Sequence, residues 1–362
     1  MSKQTAMKLL PLLIFTLVSI IVQSQGVTVP RTPSPAATVS QTIGISTVTV
    51  NYSRPSVKGR EVWGALVPYG YNVQAFGAHN AAPWRAGANE NTVIKFSHAA
   101  KVEGQAVPAG SYGLFFVVNK DNTGEVILSK DYRSWGSFFY DAKQDFLKAK
   151  IQLRDIPHTE LLTYDFLNTS KTSAELVLNW EKKQFPVKIE FDVDNIVMAN
   201  AEEELKGPVG FNWQGYSSAA NYALQNKVNL DKALTWINLA IGQNKSYTTL
   251  NIKSGILKEL NRTAEADSAN NTALAVATEL ELNNYGYQLI NQGQKDKAIE
   301  ILALNTKKYP KSANAWDSLG EAYALNGDKK NAIANFKKSL SLNPPEATKL
   351  NSEKYLKQLG AM

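Results

Sequence analysis

The chain of 362 residues contains no cysteine. This excludes disulfides, a thiolate nucleophile, cysteine metal ligands and a lipid-modified cysteine. Histidine is also scarce, because only His79, His98 and His158 are present and none lies in a His-Glu-x-x-His or His-x-His arrangement. We therefore predict no metal site and no cofactor.

Motifs of the common enzyme classes are missing as well. The sequence has no G-x-S-x-G elbow, no phosphate-binding P-loop and no G-x-G-x-x-G dinucleotide motif. It also has no concentrated basic stripe, since residues 25–198 carry 18 basic and 16 acidic side chains. A nucleic-acid partner is not expected from this charge distribution.

Long hydrophobic runs are absent beyond the N-terminus. Residues 9–22 form an apolar run that follows Lys3 and Lys8, and the small Ser24 precedes Gln25. The run is shorter than the roughly 20 residues that a membrane-spanning helix needs. We predict a cleaved signal peptide at residues 1–24, hence an exported protein, periplasmic or secreted, with no integral membrane segment after cleavage.

The C-terminal part of the sequence repeats itself with a period of 34 residues. Three pairs of small or helix-ending residues recur at this distance: Gly286 and Gly320, Ala298 and Ala332, and Pro310 and Pro344. This period is typical of a two-helix repeat. Gly320 and Ala332 are expected where two paired helices cross, because their small side chains allow close approach.

These residues closely resemble the tetratricopeptide pattern. Two copies match well, and Ala264 and Ala233 mark two degenerate copies upstream. Residues 346–359 are expected to cap the last hydrophobic face. We assign residues 213–362 to tetratricopeptide-like repeats with a capping helix and residues 199–212 to a linker; an unrelated helical bundle is the alternative.

The resemblance implies a concave surface that binds a protein partner. The groove-facing positions would be Asn283, Tyr287, Asn314, Asp317 and Glu321.

The N-terminal part, residues 25–198, shows the alternating apolar pattern of half-buried strands. About nine short strands are expected, with a hairpin turn at residues 121–124. The pattern predicts an all-β domain, an antiparallel sandwich or barrel, with a jelly roll also open.

Several phrases in this domain resemble a bacterial family known as domain of unknown function number 2911. They include RTPSP at residues 31–35, YSRPSVKGR at 52–60, WRAGANE at 84–90 and PAGSY at 108–112. The resemblance covers about residues 30–190 and implies no activity. This chain departs from it by an insertion at residues 71–83.

Two of these phrases gather polar and aromatic side chains that could form one site. The candidate ligand-binding residues are Arg54, Lys58, Arg60, Trp84, Arg85, Asn89 and Glu90. Guanidinium groups bind oxyanions, and indole faces stack on rings or sugars. The same residue types also tie loops to backbone carbonyls, and a catalytic role is a third interpretation.

Two hypotheses about function remain at this point. The first is a non-catalytic envelope protein whose repeats engage a protein partner and whose β domain binds a polar or glycan ligand. The second is a periplasmic hydrolase of a glycan or ester, using Glu90 or a histidine near Arg85 and Asn89.

Overall fold

A computed structural model describes residues 33–362, so the predicted signal peptide lies outside the described residues. The described part begins with strands and continues with helices. The strands are β1 (Ala36–Ile43), β2 (Ser46–Ser53), β3 (Asn72–Val73), β4 (Ala81–Ala82), β5 (Val93–Phe96), β6 (Ala100–Val102), β7 (Gln105–Val107), β8 (Gly110–Val118), β9 (Thr123–Ser129), β10 (Asp145–Gln152), β11 (Arg154–Leu167) and β12 (Ser173–Glu190).

These strands form two main antiparallel sheets and one small one. The first has the order β1-β2-β5-β8-β9-β10, the second β11-β12-β6-β7, and β3 pairs only with β4. Side chains of both main sheets, among them Val50, Phe116 and Leu178, share one buried core. Two sheets around a common core form a sandwich, which resolves the alternative of a barrel.

The continuous apolar run at residues 114–118 is explained by burial on both faces of β8. Leu114 and Phe116 face the core between the sheets, whereas Phe115 and Val117 belong to a second cluster with Tyr140. This second cluster also contains Ala82 of the β3–β4 hairpin, so the insertion covers the outer face of the first sheet.

The number of strands differs from the sequence expectation, because about nine are expected and twelve are present in residues 33–362. One difference concerns the alternating segments 174–180 and 185–193, which polar residues separate in the sequence. In the structure a single strand, β12, continues across these polar residues to Glu190. In the structure the irregularity is a local one, with Glu181 at φ 54° and a shifted register between β11 and β12.

Ten α-helices follow the sandwich within the described residues. They are α1 (Val193–Glu204), α2 (Trp213–Asn226), α3 (Leu230–Gln243), α4 (Tyr247–Glu259), α5 (Thr263–Val276), α6 (Glu279–Asn291), α7 (Lys295–Lys308), α8 (Ala313–Leu325), α9 (Lys329–Leu340) and α10 (Glu346–Gln358). In residues 33–362, none of these helices is long and apolar enough to span a membrane.

Helix α1 joins the sandwich to the repeats. Its first residue, Val193, packs in the core of the sandwich and close to Gly44, whereas Met198 packs with α2 and α3. The segment 199–212 contains the end of α1 and a short 3-10 helix, Pro208–Phe211. The two parts are therefore connected by a packed helix.

Helices α2 to α9 form four pairs, and α10 covers the last one. Gly286 lies so close to α7 that a Cβ there would be 2.5 Å from Leu302 Cγ, and one at Gly320 would be 3.0 Å from the Phe336 ring. The expected close approach at Gly320 and Ala332 is confirmed, since Ala332 is fully buried.

One residue of the repeat alignment was wrong. Ala264 is exposed, whereas Ala266, the fourth residue of α5 as Ala298 is of α7, is fully buried. The turns between helices differ in length among the copies, so counting 34 residues back from Ala298 does not reach the structurally equivalent position.

Candidate functional site

A cavity of about 720 Å³ lies where three segments of the β domain meet. Residues 55–60 and 84–89 provide the first two segments, and the β3–β4 hairpin provides the third. The residues that line it include Lys58, Arg60, Leu66, Asn72, Val73, Gln74, Trp84, Arg85, Asn89, Ser137 and Trp180.

Arg85 is a partly buried cation at this cavity, held by one hydrogen bond and one aromatic ring. Its Nη1 donates a hydrogen bond of 2.7 Å to the carbonyl of Asn89, and its Cζ lies 4.6 Å from the centre of the Phe138 ring. Gly136 leaves the space for it, because a Cβ there would be 2.6 Å from the guanidinium. Burial lowers the pKa of Arg85 below its ordinary value, as desolvation disfavours the charged form.

Arg60 and Lys58 add positive charge on the neighbouring segment. Arg60 folds back on its own turn, with Nε donating 3.0 Å to the carbonyl of Val57 and Nη2 donating to the carbonyl of Ser56. Lys58 is exposed, and its backbone N–H donates to Glu160 Oε1 at 2.9 Å. Within residues 33–362 its ammonium group has no partner, so this charge is free to meet a ligand.

The loops that carry these side chains have unusual backbone conformations. Lys58, Ala86 and Asn89 all have positive φ angles, of 49°, 53° and 61°. The buried carbonyl of Ala86 accepts hydrogen bonds from Thr92 Oγ1 at 3.1 Å and from the Tyr164 hydroxyl at 2.9 Å. Such conformations cost about 1–3 kcal/mol each and concentrate at binding sites, where the surroundings hold them in place.

Two tryptophans, Trp84 and Trp180, also border the cavity and form an aromatic wall. Trp84 and Trp180 are stacked, with ring centroids 5.7 Å apart and 17° between planes, and Trp63 packs edge-on against both. The buried Nε1 atoms of Trp63 and Trp180 have no hydrogen-bond partner within the described part of the chain. The indole rings of the wall are thus held by packing against one another.

The structure brings together five of the seven predicted ligand-binding residues. Lys58, Arg60, Trp84, Arg85 and Asn89 border the cavity. Asn89 also donates from Nδ2 to the carbonyl of Ser34 at 3.3 Å. Arginine and asparagine side chains at this site thus anchor loops while also bordering the cavity.

Arg54 and Glu90 do not border it. Arg54 Nε donates to the carbonyl of Leu162 at 3.0 Å and Nη2 to Thr163 Oγ1 at 2.7 Å, which favours an anchoring role between β2 and β11. Glu90 is half-buried in the loop that follows Asn89. Among residues 33–362 no carboxylate borders the cavity.

Sequence reasoning missed several cavity residues. Trp180 comes from β12 and Ser137 from a short 3-10 helix, Gly136–Phe139, both far from the two motif phrases in sequence. Asn72 and Gln74 lie in the insertion. The insertion was a usable signal, because it directly precedes residues 84–90, one of the two phrases that carry the site.

The five predicted partner-binding residues also lie near one another. Tyr287 of α6 donates to Glu321 of α8 at 3.0 Å, and Asn351 of α10 donates to Asp317 of α8 at 2.8 Å. Asn314 Nδ2 donates to Glu279 Oε1 at 3.0 Å. We call Asn283, Tyr287, Asn314, Asp317 and Glu321 the repeat groove.

The repeat groove is acidic and partly buried. Burial raises the pKa of the Asp317 carboxyl although Ser352 and Asn351 donate to it, and nearby Glu321 raises it further. Burial also raises the pKa of Tyr355 on α10 to about 12. Asn283 Oδ1 is buried and lacks a hydrogen-bond partner in the described residues. The hydrogen bonds of this groove join successive repeats.

Two segments of the chain match the profiles of known families. Residues 34–189 match the profile of a family described as "Protein of unknown function (DUF2911)", and residues 313–346 match that of the tetratricopeptide repeat. Both resemblances seen in the sequence are thereby confirmed.

Similarities to individual proteins cover smaller parts. The cellulose synthase operon protein C of Escherichia coli strain K12 and its putative counterpart in strain O157:H7 are each 39% identical over 59 residues. The match covers 16% of this chain but only 5% of the length of those relatives.

Several solved structures are similar to part of this chain, and one of them, YrrB, is described as a TPR protein. YrrB is 18% identical, with 44% of this chain and 84% of that chain covered, at a TM-score of 0.27. MamA is 19% identical, with 42% and 89% covered, at 0.27. PilW, a type IV pilus biogenesis factor, is 25% identical, with 47% and 88% covered, at 0.27.

Proposed function

We propose that this is an exported binding protein with two sites. Export is supported by the predicted signal peptide, and the two sites by the cavity of the β domain and by the tetratricopeptide repeats that follow it. Its β domain binds a small polar ligand in the cavity, and its repeats engage a protein partner through the repeat groove.

The observation that supports ligand binding is the charge of the cavity wall. Three cationic side chains, Lys58, Arg60 and Arg85, border it, and no carboxylate of residues 33–362 does. Guanidinium and ammonium groups form strong charge-assisted hydrogen bonds with oxyanions. The arrangement therefore fits a ligand with an anionic group and a ring or chain that contacts Trp84.

This proposal can be tested by calorimetric titration of the purified mature chain with butanoate, inorganic phosphate and maltotriose. We expect an anion to bind, and Lys58→Gln and Arg85→Gln each to weaken that binding at least tenfold, about 1.4 kcal/mol. Lys101→Gln is the matched control, because Lys101 is exposed on β6. The proposal is wrong if no anion, whether short or carrying a hydrocarbon tail, binds in a manner that depends on Lys58 or Arg85.

The partner proposal rests on the acidic character of the repeat groove. Asp317 and Glu321 lie on α8, with Glu279 nearby at the start of α6. Such a groove favours a partner segment with positive charge.

A charge reversal within the groove tests this. The wild-type chain and a Glu321→Lys variant would be used to capture proteins from the envelope fraction of the source bacterium. We expect a specific partner to be retained by the wild type and by Glu300→Lys, whose side chain is exposed on α7, but lost with Glu321→Lys. Equal capture by all three proteins would contradict binding at the groove.

Export is tested at the N-terminus of the mature protein. We expect N-terminal sequencing of the protein isolated from its natural host to begin at Gln25. A mature chain that begins with Met1 would contradict the predicted cleavage.

Hydrolysis is not part of the proposal. Glu90, the acid considered from the sequence, does not border the cavity, and among the described residues no other carboxylate takes its place. No histidine of residues 33–362 borders the cavity either. The hydrolase hypothesis relied on a carboxylate or an imidazole within hydrogen-bond reach of the substrate.

A further inference from the structure

We infer that the cavity of the β domain takes a monomeric anionic amphiphile, with its charged group against Lys58 and Arg85 and its hydrocarbon tail along the β3–β4 hairpin. This inference rests on the proposed function and names the class of ligand for that site. An exposed apolar surface next to the cavity supports it.

Large apolar side chains are exposed at the edge of the cavity. Val73 is 68% exposed, Phe76 64% and Leu66 43%, and we call these three residues the apolar rim. The ring of Phe76 lies against the rings of Phe138 and Phe139, at centroid distances of 5.7 and 6.0 Å. Clustered exposed apolar side chains of this size mark an interaction site more often than isolated ones do.

The apolar rim is continuous with the cavity. Two of its members, Leu66 and Val73, also line the cavity. The third, Phe76, directly follows residues 74 and 75, which line the cavity as well. Phe138 connects the two regions, since its ring contacts both the guanidinium of Arg85 and the ring of Phe76. A ligand that reaches Arg85 can therefore extend over the apolar rim.

Charge and apolar surface together select the class of ligand. A neutral glycan would leave Lys58 and Arg85 without a counter-charge, and a short anion would leave the apolar rim exposed to water. An anion with a hydrocarbon tail satisfies both, because each buried methylene adds a favourable transfer free energy.

Three probes separate these possibilities by calorimetric titration of the mature chain below micelle-forming concentrations. Dodecanoate carries both the charge and the tail, butanoate only the charge, and dodecyl maltoside only the tail on a neutral glycan head. We expect dodecanoate to bind at least tenfold more tightly than either of the other two.

Variants then assign each end of the ligand. Phe76→Ser and Val73→Ser should weaken dodecanoate at least threefold and leave butanoate unchanged, whereas Lys58→Gln should weaken both. Phe211→Ser is the matched control, because Phe211 is 78% exposed outside the β domain's cavity. Lys58→Gln is used here instead of Arg85→Gln, because Arg85 also holds its own loop through the carbonyl of Asn89.

The outcomes distinguish this inference from the proposal beneath it. Equal affinities of butanoate and dodecanoate, both lowered by Lys58→Gln, would overturn the amphiphile and leave an anion site. Equal affinities of dodecyl maltoside and dodecanoate would overturn the role of charge. Binding of phosphatidylglycerol vesicles without binding of monomeric dodecanoate would show that the ligand is a membrane surface, and the inference would be wrong.

Discussion

Arg85 and Gly136 are in direct contact, and this contact fixes the cation at the centre of the proposed site. Gly136 has a φ of 60°, and a Cβ at this position would lie 2.6 Å from the guanidinium. The glycine is thus required both for its backbone conformation and for the space that Arg85 occupies.

Gly136→Ala is expected to displace Arg85 and to lower the affinity for an anion at least tenfold. The left-handed backbone adds a cost of about 1–2 kcal/mol to stability. Gly104→Ala is the control, because Gly104 has a φ of 77° but open space around its Cβ position. It should lose similar stability and retain affinity; equal affinities of both variants with wild type, by calorimetry, would contradict the contact.

Arg54 and Lys58 should differ in the property that each one controls. Arg54→Met removes two hydrogen bonds to β11 and is expected to lower the free energy of unfolding by about 1–3 kcal/mol with little change in ligand affinity. Lys58→Gln should lower the ligand affinity and leave the free energy of unfolding almost unchanged. Urea denaturation and calorimetric titration of both variants measure this, and a loss of affinity without a loss of stability in Arg54→Met would refute the anchoring role.

The glycine at the α6–α7 crossing should resist even a single added methyl group. Gly286→Ala is expected to destabilise the helical part by about 1–3 kcal/mol, because Leu302 occupies the space. Gly242→Ala, in α3 with nothing within 4 Å, should be neutral or stabilise by up to about 1 kcal/mol. Thermal unfolding followed by circular dichroism at 222 nm compares them, and a stable Gly286→Ala would argue against this packing.

Asp317 should make stability depend on pH in a particular direction. Its pKa is raised by burial, so the folded state binds the proton more tightly than the unfolded state does. Its stability contribution is present below the ordinary pKa of aspartate and is lost as pH rises through the raised value. Relative to Asp317→Asn, the wild-type free energy of unfolding should therefore fall with rising pH across that window. A difference that is flat or rises with pH would contradict the raised pKa.

The repeats were predictable because their signal is local and recurs. Gly320, Ala332 and the apolar residues around them repeat at a fixed distance, so pattern alone identified the helix pairs and the cap. The register failed at Ala264 because turn lengths vary, and a period cannot reveal this.

The β domain was predictable as a fold class but less so in detail. Alternation identified most strands, yet the polar residues 181–184 concealed the continuity of β12. Likewise the two motif phrases pointed to Lys58, Trp84 and Arg85, whereas Trp180 reaches the same cavity only through the packing of the two sheets. Such contacts between distant strands leave no trace in a single sequence.

The central claim is that a ligand occupies the cavity beside Trp84 and Trp180. Its most direct test is the nuclear magnetic resonance spectrum of the indole N–H groups of the ¹⁵N-labelled mature chain during titration with dodecanoate, assigned by Trp→Phe substitutions. We predict that the resonances of Trp84 and Trp180 shift and saturate, while those of Trp236 and Trp316 in the repeats stay fixed. Saturable shifts confined to the repeats, or none at all, would contradict the account.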